Sequence, residues 1–203
     1  YAVKRRAGDA TRHHAPLASY AQQVEDFQLD VSAVAGPDQV IRDLIALAEP
    51  GLAAITAPRF FGWVMGGSNP TGVAADWLTS IWGQNAGNHM ATPAAAAAET
   101  ACAAALLELL DLPRESSVGF VTGATMASFT CLAAARGAVL RRAGWNIDTE
   151  GMAGCPPITI VLGEEAHSTI YAGLKYLGFG ERNFVKVAVN REGAMEPRAL
   201  ASA

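Results

Sequence analysis

Residues 117–190 alternate between two periods. Short apolar runs, SVGFVTG (117–123), PITIVLG (157–163) and NFVKVAVN (183–190), are separated by longer stretches with helical spacing, TMASFTCLAAARGAVLRRAG (125–144) and STIYAGLKYLGFG (168–180). A β-branched run that is apolar on both faces has to be covered on both faces. A strand that reaches its neighbour through a helix runs parallel to it. The alternation therefore predicts an α/β domain, three layers α/β/α around a mainly parallel sheet. The first long helix closes as a helix should, with basic Arg141-Arg142 in its last turn and Gly144 beyond it.

Upstream the pattern is different. Residues 1–35 carry turn formers and few periodic apolar positions, and they read as an arm or irregular leader. Gly36-Pro37-Asp38 opens a helix over QVIRDLIALAEP, with Val40, Leu44 and Leu47 on one face, and it stops at Pro50-Gly51. APRFFGWVMGGSNPTG (57–72) suits either a loop that approaches a ligand closely or a plain buried turn. VAADWLTSIWGQNAG follows as an amphipathic helix. Another starts at Thr92-Pro93 and runs through the Ala-rich segment to a stop before Pro113. The organisation expected is an N-terminal arm and helix over 1–56 and a partial α/β domain over 57–203, without an internal repeat.

Composition narrows the function classes. Among 203 residues, 51% are hydrophobic and 17% charged, with a net charge of −4, enough for one substantial core and no support for nucleic-acid binding. No uninterrupted apolar stretch has transmembrane length, since Glu99 breaks the Ala-rich segment. The charged first residues lack the apolar core of a secretory leader. Cys102, Cys131 and Cys155 are unclustered, so neither a disulfide framework nor a zinc site is expected. His13-His14 lacks acidic or thiol neighbours and reads as a solvated loop rather than a metal site. The composition is that of a cytoplasmic protein. The chain opens on Tyr1 and closes on RALASA within an unfinished β/α series, which reads as part of something longer.

The chemistry is expected where strands end. In an open α/β sheet, ligands collect outside the carboxyl ends of the strands. Gly123-Ala124-Thr125 is such an end: a helix start there turns unpaired N–H groups and the positive end of its dipole outward, which suits an anion, often a phosphate. The alternative is a tight turn with Thr125 as an ordinary cap. His167, in GEEAHSTIYAG, follows the second strand and precedes its helix, either as a site residue sharing that crevice or as a cap.

NHMATPAAAAAETACAAALLELLDLP, GFVTGATMASFTCLAAAR and EEAHSTIYAGLKYLGFG, in this order and spacing, resemble the group II pyridoxal-phosphate-dependent amino-acid decarboxylases. These are the aromatic amino-acid and glutamate decarboxylases, built on the aspartate-aminotransferase fold (fold type I). The resemblance runs from about Pro58 to about Leu200, and PRFFGWV looks like the family's substrate-side loop. It implies that Gly123, Ala124 and Thr125 hold the cofactor phosphate and that His167 lies on the pyridine ring, where its nitrogens can assist proton movement. It also implies that Asn85 lies near the substrate. After the first strand the family usually has an acidic residue and often Asn or Thr where Met126 and Ser128 stand here, and Met65-Gly66-Gly67 replaces polar contacts of the substrate loop, so no particular amino acid is implied.

The family's Schiff-base lysine and the aspartate that pairs the pyridinium nitrogen fall downstream of the residues present. The lysines here are Lys4, in the leader, Lys175, about two helical turns beyond His167, and Lys186, on a strand face with Phe184 and Ala188. None matches the family's position. The reading is the N-terminal part of a pyridoxal-phosphate carboxy-lyase acting on an amino acid, inactive alone, and completed by further sequence or by another chain carrying the lysine. Family members are homodimers, so self-association is implied. The rival readings are another fold type I enzyme, such as an aminotransferase or an aldehyde-forming oxidative decarboxylase, and a non-catalytic binding or assembly module.

Overall fold

Pro37, Pro70, Pro93 and Pro197 each open a helix, the position where a fixed φ and a missing N–H do least harm. In a computed structural model, which describes all residues except 9, 10, 12–14, 29, 31 and 33, these helices are distributed over two units, Tyr1–Gln84 and Asn85–Ala203.

The first unit is helical among its described residues. Where an irregular leader is expected, the chain forms α1 (Ala2–Gly8) and α2 (Tyr20–Asp26). The reason lies in local capping and in tethering to α3 (Pro37–Ala48). Ser19 caps α2 by accepting the Gln22 N–H at 3.2 Å. Gln23 donates to the Leu47 carbonyl at 3.2 Å, and the amides of Leu17 and Ala18 share the Pro50 carbonyl at 2.8 and 2.9 Å. Arg5 pairs with Glu49 at 3.1 Å, and the Tyr1 hydroxyl donates to the same carboxylate. His13 and His14 lie outside the described residues. Next, α4 (Pro70–Trp82) starts three residues earlier than its apolar period, because Asn69 caps it through the Gly72 N–H at 2.8 Å; Gly83, at φ 57°, ends it. Of the two readings of residues 57–72, the buried turn is not observed: Phe61 and Trp63 are 90% and 84% exposed.

The second unit contains α5 (Pro93–Leu109), α6 (Ala124–Arg142), α7 (Ile147–Glu150), β1 (Ile160–Gly163), α8 (Ser168–Tyr176), β2 (Phe184–Val187) and α9 (Pro197–Ser202). The strands pair in parallel, Ile160 with Phe184 through Gly163 with Val187, with α8 as the crossover that parallel pairing requires. The core forms beneath that crossover. Leu174, Leu177 and Phe179 are buried against Phe129, Leu132 and Ala133 of α6 and against Ile160, Leu162 and Phe184 of the strands. Arg136 of α6 donates to the Leu177 carbonyl at 2.7 Å, satisfying an acceptor at the end of α8.

The three-strand expectation is corrected at its first member. Residues 117–123 form no strand, although the run is apolar, because no described strand lies in hydrogen-bonding register with it. A ladder belongs to two segments, and among the described residues none pairs with this one. The other two strands begin and end inside their apolar runs. After β2 the chain makes a narrow hairpin, closed by an antiparallel bridge between Val189 and Met195.

Candidate functional site

Two helix starts carry the expected site residues, and they are built differently. α6 begins at Gly123, whose φ of 167° and ψ of 173° are ordinary extended backbone, and no side chain caps it. Thr125 is therefore not the cap; it sits one residue inside the helix. The first helical bond runs from the Ala127 N–H to the Gly123 carbonyl at 3.0 Å. That leaves the amides of Ala124, Thr125 and Met126 without a helical acceptor. No acidic residue occupies this first turn, while Arg141 and Arg142 sit in the last one, so nothing offsets the positive end of the dipole. A methyl group built on Gly123 would meet nothing within 4 Å, so space lies open before the helix.

α8 is capped by His167 itself. Its Nδ1 lies 3.3 Å from the Thr169 N–H and 2.9 Å from the Thr169 Oγ1. A backbone N–H aimed at Nδ1 requires a lone pair there, so the network assigns the proton to Nε2. The ring is thereby oriented, with a single N–H donor, Nε2, remaining for other partners. Nδ1 is committed to the helix.

The packing of α6 against α8 aligns the two starts. A methyl on Gly173 would lie 3.6 Å from Leu132 Cδ1, and further along Arg136 reaches Leu177, a separation of 41 residues in each case. The helices therefore run side by side in the same direction. The first turn of α6 and His167 therefore lie toward the same end of the pair. Axes of packed helices lie about 8–10 Å apart, so Ala124, Thr125 and His167 occupy the same end of one helix pair.

Asn85 is not brought to that end by any hydrogen bond among the described residues. Its Oδ1 accepts the Gly87 N–H at 2.8 Å, and its carbonyl accepts the hydroxyl of the buried Thr92. It organises its own turn. Two of the three lysines are engaged elsewhere: Lys175 pairs with Glu181 at 2.6 Å, and Lys186 lies 5.3 Å from the centre of the Tyr171 ring; the third, Lys4, lies in α1 of the first unit. The hydrogen bond from Lys175, and then its charge, hold the Glu181 carboxyl below its ordinary range. Among the described residues no group of three or more His, Cys, Asp or Glu side chains could hold a metal, and no helix is long and apolar enough to cross a membrane.

Residues 21–203 match the family described as the pyridoxal-dependent decarboxylase conserved domain. The chain belongs to this family. Among curated relatives it is 26% identical over 166 residues to Tryptophan decarboxylase 1 of Oryza sativa subsp. japonica, covering 76% of this chain and 32% of that protein. It thus spans about a third of that relative's length. Solved structures share the fold over 99% of the chain. The glutamate decarboxylase domain of a diaminobutyrate-pyruvate transaminase and L-2,4-diaminobutyrate decarboxylase from Vibrio parahaemolyticus superposes with a TM-score of 0.88 at 18% identity, over 45% of that chain. Oryza sativa TDC with PLP and tryptamine gives 0.82 at 21% identity, over 44% of its length. The resemblance and the fold class read from the sequence are borne out.

The family's cofactor is pyridoxal phosphate, and the donors at the start of α6 fit its ester. Three outward amides, a neighbouring hydroxyl on Thr125, an uncompensated dipole and open space are what a phosphate requires. Two further residues escaped the sequence reading. Thr169 orients the His167 ring. Glu164 fastens the segment before it, with its carboxylate accepting the Val189 N–H at 3.2 Å. The signal available was an acidic residue directly after a β-branched run, where a strand must stop and turn.

Proposed function

We propose that this chain is the N-terminal part of a pyridoxal-phosphate-dependent carboxy-lyase that acts on an amino acid. The amides of Ala124, Thr125 and Met126 with the Thr125 hydroxyl bind the phosphate of the cofactor, and His167 lies against its ring. The observation that carries this reading is the uncapped start of α6 at the same end of the helix pair as His167.

Bound pyridoxal phosphate supplies an electron-poor ring that takes up the electron pair left behind as a carboxylate departs as CO₂. The chain's own residues do the rest of what this portion can do. The first turn of α6 fixes the ester and with it the position of the ring. His167, held by Thr169 through Nδ1, keeps its Nε2–H for other partners and would hold or deliver a proton near the reacting carbon. The covalent attachment is assigned to a lysine on further sequence or on another chain, since Lys175 and Lys186 have other partners. On this reading the chain alone binds the cofactor noncovalently and does not decarboxylate. The homodimer of the family is the proposed assembly, and the cytoplasm the proposed location.

Titration of the chain with pyridoxal 5′-phosphate, read by equilibrium dialysis, tests the proposal. Saturable binding is expected, weakened about 10-fold by Thr125→Ala through the loss of a charge-assisted hydrogen bond. Absence of binding, or equal binding by the variant, would favour a module that keeps only the fold.

A further inference from the structure

The hairpin after β2 contributes none of the proposed cofactor contacts, yet it is fastened to the segment that carries His167. The Glu164 N–H donates to the Val187 carbonyl at 2.9 Å, extending the β1–β2 ladder by one bond. The Glu164 carboxylate then accepts the Val189 N–H at 3.2 Å, where a backbone carbonyl would serve if the ladder continued. A side chain thus replaces the main chain as acceptor, which lets β1 end and the chain turn toward α8. The turn closes through the Ala166 N–H and the Gly163 carbonyl at 3.0 Å.

The other side of this clasp is bonded within itself. Val189 and Met195 form the bridge. The Asn190 N–H donates to the Ala194 carbonyl at 2.8 Å, and the Asn190 Oδ1 accepts the amides of Glu192 and Ala194, each at 3.0 Å. Gly163 allows the close approach: a Cβ there would stand 3.1 Å from Val189 Cγ1 and 3.6 Å from Met195 Cγ. Hairpin, Glu164 and the Gly163–Ala166 turn form one continuous brace that ends on His167.

We propose that Glu164 is a positioning residue for His167, acting through its clasp on Val189. This rests on the functional reading above. The mechanism is geometric. Without the clasp, the four residues from Gly163 to Ala166 keep only the turn bond and one ladder bond, while His167 stays tied to Thr169 and Ile170 of α8. The start of α8, and the His167 ring with it, then loses its tie to the hairpin.

Glu164→Ala and Glu164→Gln in the full chain provide the test, because the Gln Oε1 can still accept the Val189 N–H. In Glu164→Ala, hydrogen exchange at the Val189 amide is expected to accelerate about 10-fold. The His167 ring resonances should shift, and pyridoxal phosphate affinity should fall about 3- to 10-fold. Glu164→Gln should stay within about 2-fold of the parent chain in all three readings. Unchanged Val189 exchange or unchanged His167 resonances in Glu164→Ala would overturn the proposal, as would a Glu164→Gln that behaves like Glu164→Ala. If the parent chain itself fails to bind the cofactor, the functional reading falls, while exchange and ring resonances still decide on Glu164.

Discussion

The starts of α6 and α8 belong to the same helix pair and point the same way, yet one is left open and the other is closed. At α6 the capping position is Gly123, which has no side chain, so three amides face outward. At α8 the capping position is His167, whose ring accepts the Thr169 amide. Each helix start offers the same orphan donors. What occupies the capping position decides whether they serve a ligand or the helix. The open start suits an anion, and the closed one holds an aromatic ring in a single orientation.

Closing the open start is the strongest way to break this difference. Gly123→Asp places a carboxylate where a cap belongs, and extended backbone with open space around Cβ allows it without strain. Stability should rise by about 0.5 kcal/mol as the helix gains a cap. Cofactor affinity should fall about 100-fold as the amides are taken and a negative charge faces the ester. Thermal denaturation and dialysis read the two opposite changes. A variant that binds as well as its parent would remove the basis of the phosphate assignment.

Opening the closed start has a smaller effect and separates the two duties of His167. Asn is a good cap, so His167→Asn should keep the stability of the parent chain while cofactor affinity falls about 3- to 10-fold. His167→Ala should lose the same affinity and in addition about 1 kcal/mol of stability. Equal stability of the two variants would mean that the ring does not cap α8.

The smallest expected effect lies at the opposite end of α8, where Lys175 and Glu181 are both exposed. Lys175 lowers the Glu181 carboxyl below its ordinary value of 4.5. A depressed folded value contributes stability above the unfolded value, and that contribution is lost as the pH falls through the folded value. Acid titrations of stability should therefore be slightly shallower below pH 4.5 in Glu181→Gln than in the parent chain, with no change in cofactor binding. A change in binding would indicate that this end of α8 communicates with its start.

Much of this was legible in the residues. The β/α alternation over 157–187 and the bend at Gly123 follow from period and from turn chemistry. What escaped depends on partners. Residues 117–123 are apolar enough for a strand, but a strand forms only against another one. The leader folds into α1 and α2 because Arg5, Tyr1 and Gln23 reach residues 24 to 48 positions away, beyond any local pattern. His167 was open between a cap and a site residue from its place before a helix, and the structure makes it the cap; Glu164 was hidden because its carboxylate acts on an amide 25 residues away. Ser19 and Asn69, each one residue before a helix, carried local capping signals.

The most direct measurement is an NMR titration of the chain with pyridoxal 5′-phosphate, following the amide signals of Ala124, Thr125 and Met126 together with the Nε2 signal of His167. All four are expected to move with one shared dissociation constant. Movement of only one helix start, or movement of neither while other residues respond, would contradict it.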